Sequence, residues 1–501
     1  MGNRFVPLAL HETQPEEAGC LPGTRVHVLS MFMEWARNDP IRIFWLAGLA
    51  GTGKTSIAIT LCRMLQDEPD IVLGGTFFCS RTANVTELTD ARCILPTLAA
   101  SLAGVSHVFA VTLAAALNKD SLAASKPISA QMNTLLQQPL SALSQSSPSI
   151  VFVVDAIDEC SDENEVKKLL VAISTLACDA NVKFIITSRP ETHINASPIS
   201  RIDRSSILRL HTIDIDEVTE DIRLYIHDAF SKQPLEKAWY TDSEVDLLTD
   251  LADGLFIFAS TVIAYVLDSE SVDDRAARLR TALFAMKASM VATGPLDAIY
   301  EFVLTRASST AKVEPAELET TQKVLACILT AEAPLSITAL ANIIAENPDV
   351  LRASLRRLRA VVHVPDEAEE LSLHAVHASF GDYLFERAAD NLLIPSLLGD
   401  ELLARGCLRI MREHLHFNVS QCYSSHELNP PAHSSTVPLS LEYACLEWAY
   451  HLVALEQPND IEEELNDMFR SHFLFWLEVI CILNEVQRAE AMLNLAASTV
   501  S

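Results

Sequence analysis

Apolar and polar positions change their pattern twice along the chain, near residues 23 and 213. A polar leader ends near residue 23, and Val28, Phe32 and Trp35 then recur at helical spacing before Pro40. Up to about residue 212, helical stretches alternate with short β-rich runs that are mostly apolar without alternation, at residues 41–47, 75–79, 150–154, 183–187 and 207–210. Because strands buried on both faces are apolar throughout, these runs predict a parallel sheet in a three-layer α/β domain.

The second half of the chain is dominated by helical patterns. One interruption predicts two helices, at 336–344 and 351–360, followed by β-rich residues at 361–364 and 371–373. This order indicates a winged-helix domain. The patterns together divide the chain into a leader (1–23), the α/β domain (24–212), a helical domain (213–315), the winged-helix domain (316–390) and a C-terminal helical domain (391–501). We expect the folded protein to begin where the leader ends.

Composition narrows the class of protein. The 501 residues are 49% hydrophobic, which is enough for several cores. Lys and Arg number 37 against 66 Asp and Glu, and the net charge of −29 repels phosphate backbones and anionic membranes. The longest apolar stretch, residues 254–266, is too short to span a bilayer, and the eleven scattered cysteines predict reduced thiols. We expect a cytoplasmic protein that binds neither nucleic acid nor membrane.

One glycine-rich segment fits the pattern G-x-x-x-x-G-K-[ST]: Gly48, Leu49, Ala50, Gly51, Thr52, Gly53, Lys54 and Thr55. It follows a predicted strand and opens a predicted helix, which is the context that a P-loop requires. Its N–H groups and the helix N-terminus, with Ser56, can cradle a β-phosphate. Lys54 would bridge the β- and γ-phosphates, and the Thr55 hydroxyl would bind Mg²⁺. A chance glycine-rich turn is the alternative.

Acidic residues follow the apolar run at 150–154. Asp155 would end a neighbouring strand and hold the Mg²⁺ shell. Asp158 and Glu159 come next, and one of these carboxylates could polarise an attacking water; alternatively both are solvated loop charges. After the run at 183–187, Arg189 could sense a γ-phosphate, because a planar guanidinium suits phosphate oxygens; an arginine that caps a surface turn is the alternative.

Two features of the second half have a structural and a functional interpretation. His377 follows the predicted wing, where a lone histidine is usually structural. The second helix of the predicted winged-helix domain contains four arginines that could contact phosphates, or could face solvent or pair with the acidic surface. They are Arg352, Arg356, Arg357 and Arg359.

The P-loop, V-F-V-V-D-A-I-D-E-C at 151–160 and F-I-I-T-S-R-P-E at 184–191 together resemble the NTPase core of NACHT-type STAND proteins, relatives of the NOD-like receptors. The closest resemblance is to the fungal subgroup with a nephrocystin-3-like N-terminal NTPase domain. Later landmarks extend it over about residues 23–490, including Gly23-Thr24-Arg25 and Leu255-Phe256-Ile257. The segment at Gly254 lacks the proline of the related G-L-P-L form, so that form's contact with adenine is not carried over.

The resemblance implies a switch in fungal innate-immunity-like or self/non-self signalling. ADP would hold a closed monomer, ATP with Mg²⁺ would open it to homo-oligomers or protein partners, and slow hydrolysis would reset it. His377 matches a histidine that contacts the ADP β-phosphate in related switches. We expect neither an N-terminal effector domain nor C-terminal WD40 repeats. Alternatives are GTP as the nucleotide, a scaffold that binds nucleotide without hydrolysis, and a winged-helix transcription regulator.

Overall fold

The protein is described from a computed structural model. The described residues are 4–15, 18–83, 85–143, 148–179, 181–190, 207–210, 215–232, 239–269, 271–308, 315–365, 372–389, 392–419, 437–455 and 461–500. The chain divides into two compact units, the first comprising Met1–Arg81 and Val85–Leu296 and the second Thr82–Asn84 and Asp297–Ser501. The five-part division above is finer than these two units and stays a prediction.

A five-stranded parallel sheet forms the centre of the first unit. Its strands are β1 (Ile43–Ala47), β2 (Ile71–Phe78), β3 (Ser149–Asp155), β4 (Val182–Ser188) and β5 (Ile207–Arg209). They lie in the order β2-β3-β4-β1-β5. Every residue of β1 and β4 is buried, as the continuous apolar runs predicted. The prediction of a parallel α/β domain is therefore confirmed.

The sheet is accompanied by helices. In the first unit they are α1 (Val26–Asn38), α2 (Lys54–Gln66), α3 (Ile94–Val105), α4 (His107–Lys119), α5 (Ile128–Gln131), α6 (Gln138–Leu140), α7 (Glu163–Asp179), α8 (Ile215–Ser231), α9 (Asp242–Ala252), α10 (Phe256–Leu267) and α11 (Val272–Thr293). Val151 and Val153 of β3 share one buried cluster with α1 and α2. Phe152 lies between them in sequence and therefore faces the other side, where it stacks on Phe184. Both faces of the sheet are thus packed.

The polar leader is part of the fold. Val6 and His11 are 5% and 6% exposed. The His11 backbone N–H donates to Thr76 Oγ1 of β2 at 3.0 Å, and the Val6 N–H donates to Thr97 Oγ1 at 3.2 Å. The expectation that the folded protein begins near residue 23 was wrong, because these contacts with distant residues are not visible in a local pattern.

The second unit is mostly helical. Its elements are α12 (Pro295–Ser308), α13 (Pro315–Thr330), α14 (Ile337–Ile344), α15 (Pro348–Arg356), β6 (Val362–His363), β7 (His374–Ala375), α16 (Ala378–Glu386), α17 (Leu398–His414), α18 (Leu439–Ala454), α19 (Glu462–Asp467), α20 (Phe473–Ile482) and α21 (Val486–Val500). Strands β6 and β7 pair in antiparallel fashion. Within the described residues of the chain, no helix is both long and apolar enough to cross a bilayer.

The helices and hairpin of the predicted winged-helix segment occur in the expected order, with shifted ends. The second helix begins at Pro348 rather than at residue 351, because Asn347 caps it by accepting a hydrogen bond from the Asp349 N–H. Each wing strand is only two residues long, and Leu371 lies outside the described residues. Arg357 forms an ion pair with Glu317 at 3.2 Å, as the acidic-surface interpretation of the arginines predicted.

Candidate nucleotide-binding site

The P-loop connects β1 to α2 as the sequence predicted. Gly51 and Gly53 have φ values of 75° and 88°, a left-handed conformation that favours glycine. A Cβ atom on Gly51 would also overlap the side chain of Ile257 at the start of α10. The Gly48 N–H donates to Ser188 O of β4 at 3.2 Å, which fixes the beginning of the loop. The glycines thus allow both the turn and the close approach of a helix.

Lys54 lies across the loop. Its ammonium donates to Gly48 O and Leu49 O, both at 2.9 Å. Burial lowers the pKa of Lys54, and the nearby carboxylates of Asp158 and Asp155 oppose that shift. Neutral carbonyls are weaker partners for an ammonium than phosphate oxygens are, because phosphate oxygens carry negative charge that attracts the ammonium. An incoming phosphate can therefore take the ammonium from the loop.

Asp155 ends β3 but is not on the strand next to the P-loop. Strand β4 lies between β1 and β3, which corrects the expected neighbouring position. The carboxylate nevertheless reaches the loop, because Thr55 donates to Asp155 Oδ2 at 2.8 Å. Thr187 of β4 donates to Oδ1 at 2.5 Å. Burial raises the pKa of Asp155, while the hydroxyls of Thr187 and Thr55 and the charge of Lys54 oppose the rise.

The Thr55 hydroxyl and the Asp155 carboxylate fit a magnesium ion. Both are oxygen ligands, the kind that Mg²⁺ prefers, and Mg²⁺ usually binds through one or two protein oxygens together with substrate phosphates and water. Within the described part of the chain, no three His, Cys, Asp or Glu side chains form a metal-binding group. Phosphate oxygens of a nucleotide and water would complete the ligand shell of such a cation.

The acidic turn, residues 156–159, begins with Ala156 in a left-handed conformation, φ 54°. Asp158 is 5% exposed. Its Oδ1 accepts a hydrogen bond from the Arg189 N–H at 3.0 Å, and its Oδ2 lies 3.4 Å from Arg189 Nε. The alternative of a solvated loop charge is wrong for Asp158. Arg189 is engaged with this carboxylate instead of capping an unrelated turn.

Glu159 faces the other side of the turn, toward Arg81, which sequence analysis did not identify. The Arg81 N–H donates to Glu159 Oε2 at 2.9 Å, and its guanidinium donates to the carbonyls of Glu159 and Asp158 at 3.2 and 2.7 Å. Burial raises the pKa of Glu159 to about 7, although the Arg81 N–H opposes the rise. The available signal was position, since Arg81 follows β2 at the carboxyl edge of the sheet.

Comparison with known proteins adds to this geometry. Residues 23–189 match a family model described as Nephrocystin 3, N-terminal. The chain is 22% identical over 534 residues to the vegetative incompatibility protein HET-E-1 of Podospora anserina. These two matches support a fungal NACHT-type P-loop NTPase domain at residues 23–189. The match to HET-E-1 covers 95% of this chain but only 37% of that protein, so the chain spans little more than a third of the relative's length.

The chain also aligns with solved structures, at lower sequence identity. Cdc6p from Pyrobaculum aerophilum aligns with a TM-score of 0.36 and 13% identity, covering 78% of this chain and 96% of that one. The Aeropyrum pernix ORC1 protein, solved in complex with DNA, aligns with a TM-score of 0.33 and 13% identity, covering 78% and 94%. Scores this low support no inference about what the NACHT-type domain binds or does.

Arg25 supports the P-loop of the NACHT-type domain from behind. It is 3% exposed, and its guanidinium donates to Thr52 O at 2.9 Å and lies 4.9 Å from the ring centre of Phe256. Its backbone N–H donates to Asp221 of α8 at 3.0 Å. Burial lowers the pKa of Arg25, and Asp221 opposes that shift. Sequence analysis named Arg25 and Phe256 only as family landmarks, because their contact joins distant segments.

His377 belongs to the second unit, outside the NACHT-type domain. It caps the N-terminus of α16, where its Nδ1 accepts from the Ser379 N–H at 3.1 Å and lies 2.7 Å from Ser379 Oγ. Ser379 Oγ also contacts the Tyr300 hydroxyl at 2.8 Å. These contacts give His377 a structural role in its own unit, and its contact with a nucleotide stays a prediction.

Proposed function

We propose that this protein is an ATP-operated switch of the STAND class, with an ADP-bound resting state and an ATP-bound active state. The observation that carries the proposal is the contact of Thr55 with Asp155 beside the ammonium of Lys54. Together they offer oxygen ligands for Mg²⁺ and a cation for the β- and γ-phosphates. Bound Mg²⁺ would supply charge neutralisation of the phosphates.

The pair of Arg189 and Asp158 provides a way to distinguish ATP from ADP. Asp158 holds the Arg189 guanidinium at 3.4 Å. A γ-phosphate carries more negative charge than one carboxylate and accepts hydrogen bonds in the planar geometry that arginine favours. ATP, but not ADP, therefore competes with Asp158 for Arg189. A ligand shifts an equilibrium only through such a difference in interaction with the two states.

Glu159 is the residue to which we assign the polarisation of the attacking water. A pKa of about 7 suits a general base near neutral pH. Its carboxylate is also bound by the Arg81 N–H, which limits how far it can approach a phosphate. Turnover should consequently be slow, as a switch requires.

The second unit would read the nucleotide state. We assign residues 316–390 as a winged-helix domain whose His377 contacts the β-phosphate of ADP. The active form would assemble with further copies or with protein partners. Similarity to HET-E-1, named as a vegetative incompatibility protein, supports a role in fungal self/non-self recognition.

A second candidate function is a nucleotide-binding scaffold without hydrolysis. It is favoured by the engagement of both carboxylates, Asp158 with Arg189 and Glu159 with Arg81. The two functions share the binding site and differ only in turnover. Measurement of phosphate release from bound ATP therefore separates them.

The test is to purify the native protein, denature it and identify the released nucleotide by chromatography. We expect stoichiometric ADP, whereas GDP would identify a guanine nucleotide switch. Lys54→Ala should be empty, because the cation that binds the phosphates is lost. Lys167→Ala is the matched control, since Lys167 lies on the surface of α7 in an exposed ion pair. An empty wild-type protein that also fails to bind added Mg²⁺-ATP would overturn the proposal.

A further inference from the structure

Two free cysteines lie against each other beside the acidic turn. Cys79 directly follows β2, and Cys160 directly follows Glu159. Their sulfur atoms are 3.6 Å apart although the residues are separated by 81 positions in the chain. Each is 5% exposed, and the Cys79 N–H also donates to Asp155 O at 3.1 Å. The pair therefore spans two segments that both support the nucleotide site.

The two sulfur atoms are in non-bonded contact. A disulfide bond requires a separation of about 2.05 Å between the sulfurs, so the two atoms must approach each other by roughly 1.5 Å. Cys79 and Cys160 are each at the end of a regular element, where small backbone shifts are easiest. The hydrogen bonds from Arg81 to Glu159 and Asp158 already hold the same two segments together.

We propose that Cys79 and Cys160 are an oxidative modification site that closes to a reversible disulfide in the presence of hydrogen peroxide. One thiolate attacks a peroxide oxygen, which breaks the O–O bond and gives a sulfenic acid and hydroxide, and the hydroxide takes up the proton that the thiol released to form water. The second thiol attacks that sulfur, forms the S–S bond and releases a second water. The two thiols supply the two electrons that reduce one peroxide to two waters, and a dithiol reductant reverses the reaction.

The disulfide would tie the acidic turn to β2. This consequence rests on the proposed function, because the turn carries Asp158 and Glu159. A covalent tie would restrict the movement by which Asp158 releases Arg189 and Glu159 approaches a phosphate. Nucleotide binding through Lys54 would continue, while hydrolysis would slow.

Accessibility determines the rate of the reaction rather than its product. Both sulfurs belong to residues that are only 5% exposed, so peroxide reaches them slowly and oxidation is slow. Cys178 and Cys481 are exposed and serve as internal references in the same molecule. They have no described cysteine as a bonding partner and would report general oxidation.

The closing experiment maps the bond directly. The full chain is incubated with hydrogen peroxide, blocked with iodoacetamide in denaturant and digested with trypsin without reduction. Arg81, Arg92 and Lys119 lie between the two cysteines, so trypsin places Cys79 and Cys160 in separate peptides. We expect one joined pair, 2 Da lighter than the sum of its two peptides in thiol form, and its loss in Cys160→Ser. Separate alkylated or over-oxidised peptides under conditions that oxidise Cys178 would overturn the site.

A second measurement tests the consequence. ATP hydrolysis and nucleotide binding are compared before oxidation, after it and after reduction by dithiothreitol, in wild type and in Cys160→Ala, with folding checked by circular dichroism. We expect hydrolysis to fall at least threefold in oxidised wild type only and to recover on reduction, with binding unchanged. Unchanged ATP hydrolysis in fully cross-linked protein would refute the proposal that the disulfide restricts the acidic turn. If reduced wild type does not hydrolyse ATP, the proposed function fails while the mapped disulfide still stands.

Discussion

Buried charges occur in both units of this protein, but they are satisfied in different ways. In the first unit, Asp155 is 1% exposed and its oxygens accept from two hydroxyls. In the second unit, Glu447 is 2% exposed, and both of its carboxylate oxygens accept a hydrogen bond from Arg488 Nη2 at 2.9 Å. The hydrogen-bond donors to Asp155 are thus neutral hydroxyls, whereas the donor to Glu447 is a positively charged guanidinium.

The second unit also contains a buried network of hydrogen-bonded side chains. His451 is fully buried, with Nδ1 at 2.8 Å from Asp400 Oδ1 and Nε2 at 2.7 Å from the Tyr443 hydroxyl. That hydroxyl also accepts the Glu332 N–H at 3.3 Å. Every ring nitrogen and the hydroxyl have a partner, so the network can stabilise the helices without a ligand.

The difference separates a structural network from a binding site. A buried carboxylate with only hydroxyl partners keeps negative charge that an added cation can neutralise. A buried carboxylate with a bound guanidinium already has its charge compensated, so an added cation stabilises it less. Burial of a carboxylate therefore does not by itself indicate a binding site. The charge of its hydrogen-bond donor has to be considered as well.

The largest expected effect is on the second unit. Arg488→Met leaves Glu447 buried without its counter-charge, which costs about 3–5 kcal/mol of unfolding free energy. Nucleotide binding by the first unit should persist. Urea denaturation followed by circular dichroism measures the loss. Glu447→Met/Arg488→Met is the matched control and should recover most of it, because it removes both charges; an equally unstable double variant would contradict this account.

The next effect concerns turnover at the site. Hydrolysis by wild type should rise with pH and level off above about 7, as Glu159 loses its proton. Glu159→Gln removes the base and should lower the rate at pH 8 by about 100-fold, without the pH-dependent rise. Phosphate release at saturating Mg²⁺-ATP from pH 5.5 to 9 measures both. If the hydrolysis rate of Glu159→Gln still rose with pH, the role of general base would pass to Asp158.

A smaller effect of opposite sign is expected at Asp155. Burial raises its pKa above the unfolded value, so the stability associated with its bound proton is lost as pH rises. Asp155→Asn removes this cost and should leave the first unit at least as stable as wild type at pH 7. Thermal unfolding and Mg²⁺-dependent nucleotide binding are measured together. If Asp155→Asn were less stable than wild type and its nucleotide binding still depended on Mg²⁺, Asp155 would be a structural residue rather than a ligand of the cation.

The smallest effect concerns His377. His377→Ala should raise the dissociation rate of ADP by roughly two- to tenfold, the range of one hydrogen bond of about 0.5–1.5 kcal/mol. His377→Asn separates this from loss of the helix cap, since asparagine caps helices well. Release of a fluorescent ADP analogue measures the rate. Wild-type rates in both variants would leave His377 with its structural role alone.

Local patterns in the sequence predicted the elements that depend on neighbours in the chain. Continuous apolar runs identified all five described strands of the first unit, and the glycine spacing identified the P-loop. Asp155 and Arg189 were proposed as site residues because each lies at the end of a predicted strand. The wing was predicted less well, because Asn347 and Pro348 start the second helix early and the strands are short.

Only the tertiary structure decided which distant residues meet. It placed β4 between β1 and β3, brought Arg81 onto the acidic turn and Arg25 behind the P-loop, and set Cys79 against Cys160. It also packed the polar leader against β2. The sequence determined the backbone pattern and the chemistry of the site, because these depend on spacing and residue type. Partners across the sheet depend on strand order and crossover packing, which no local spacing encodes.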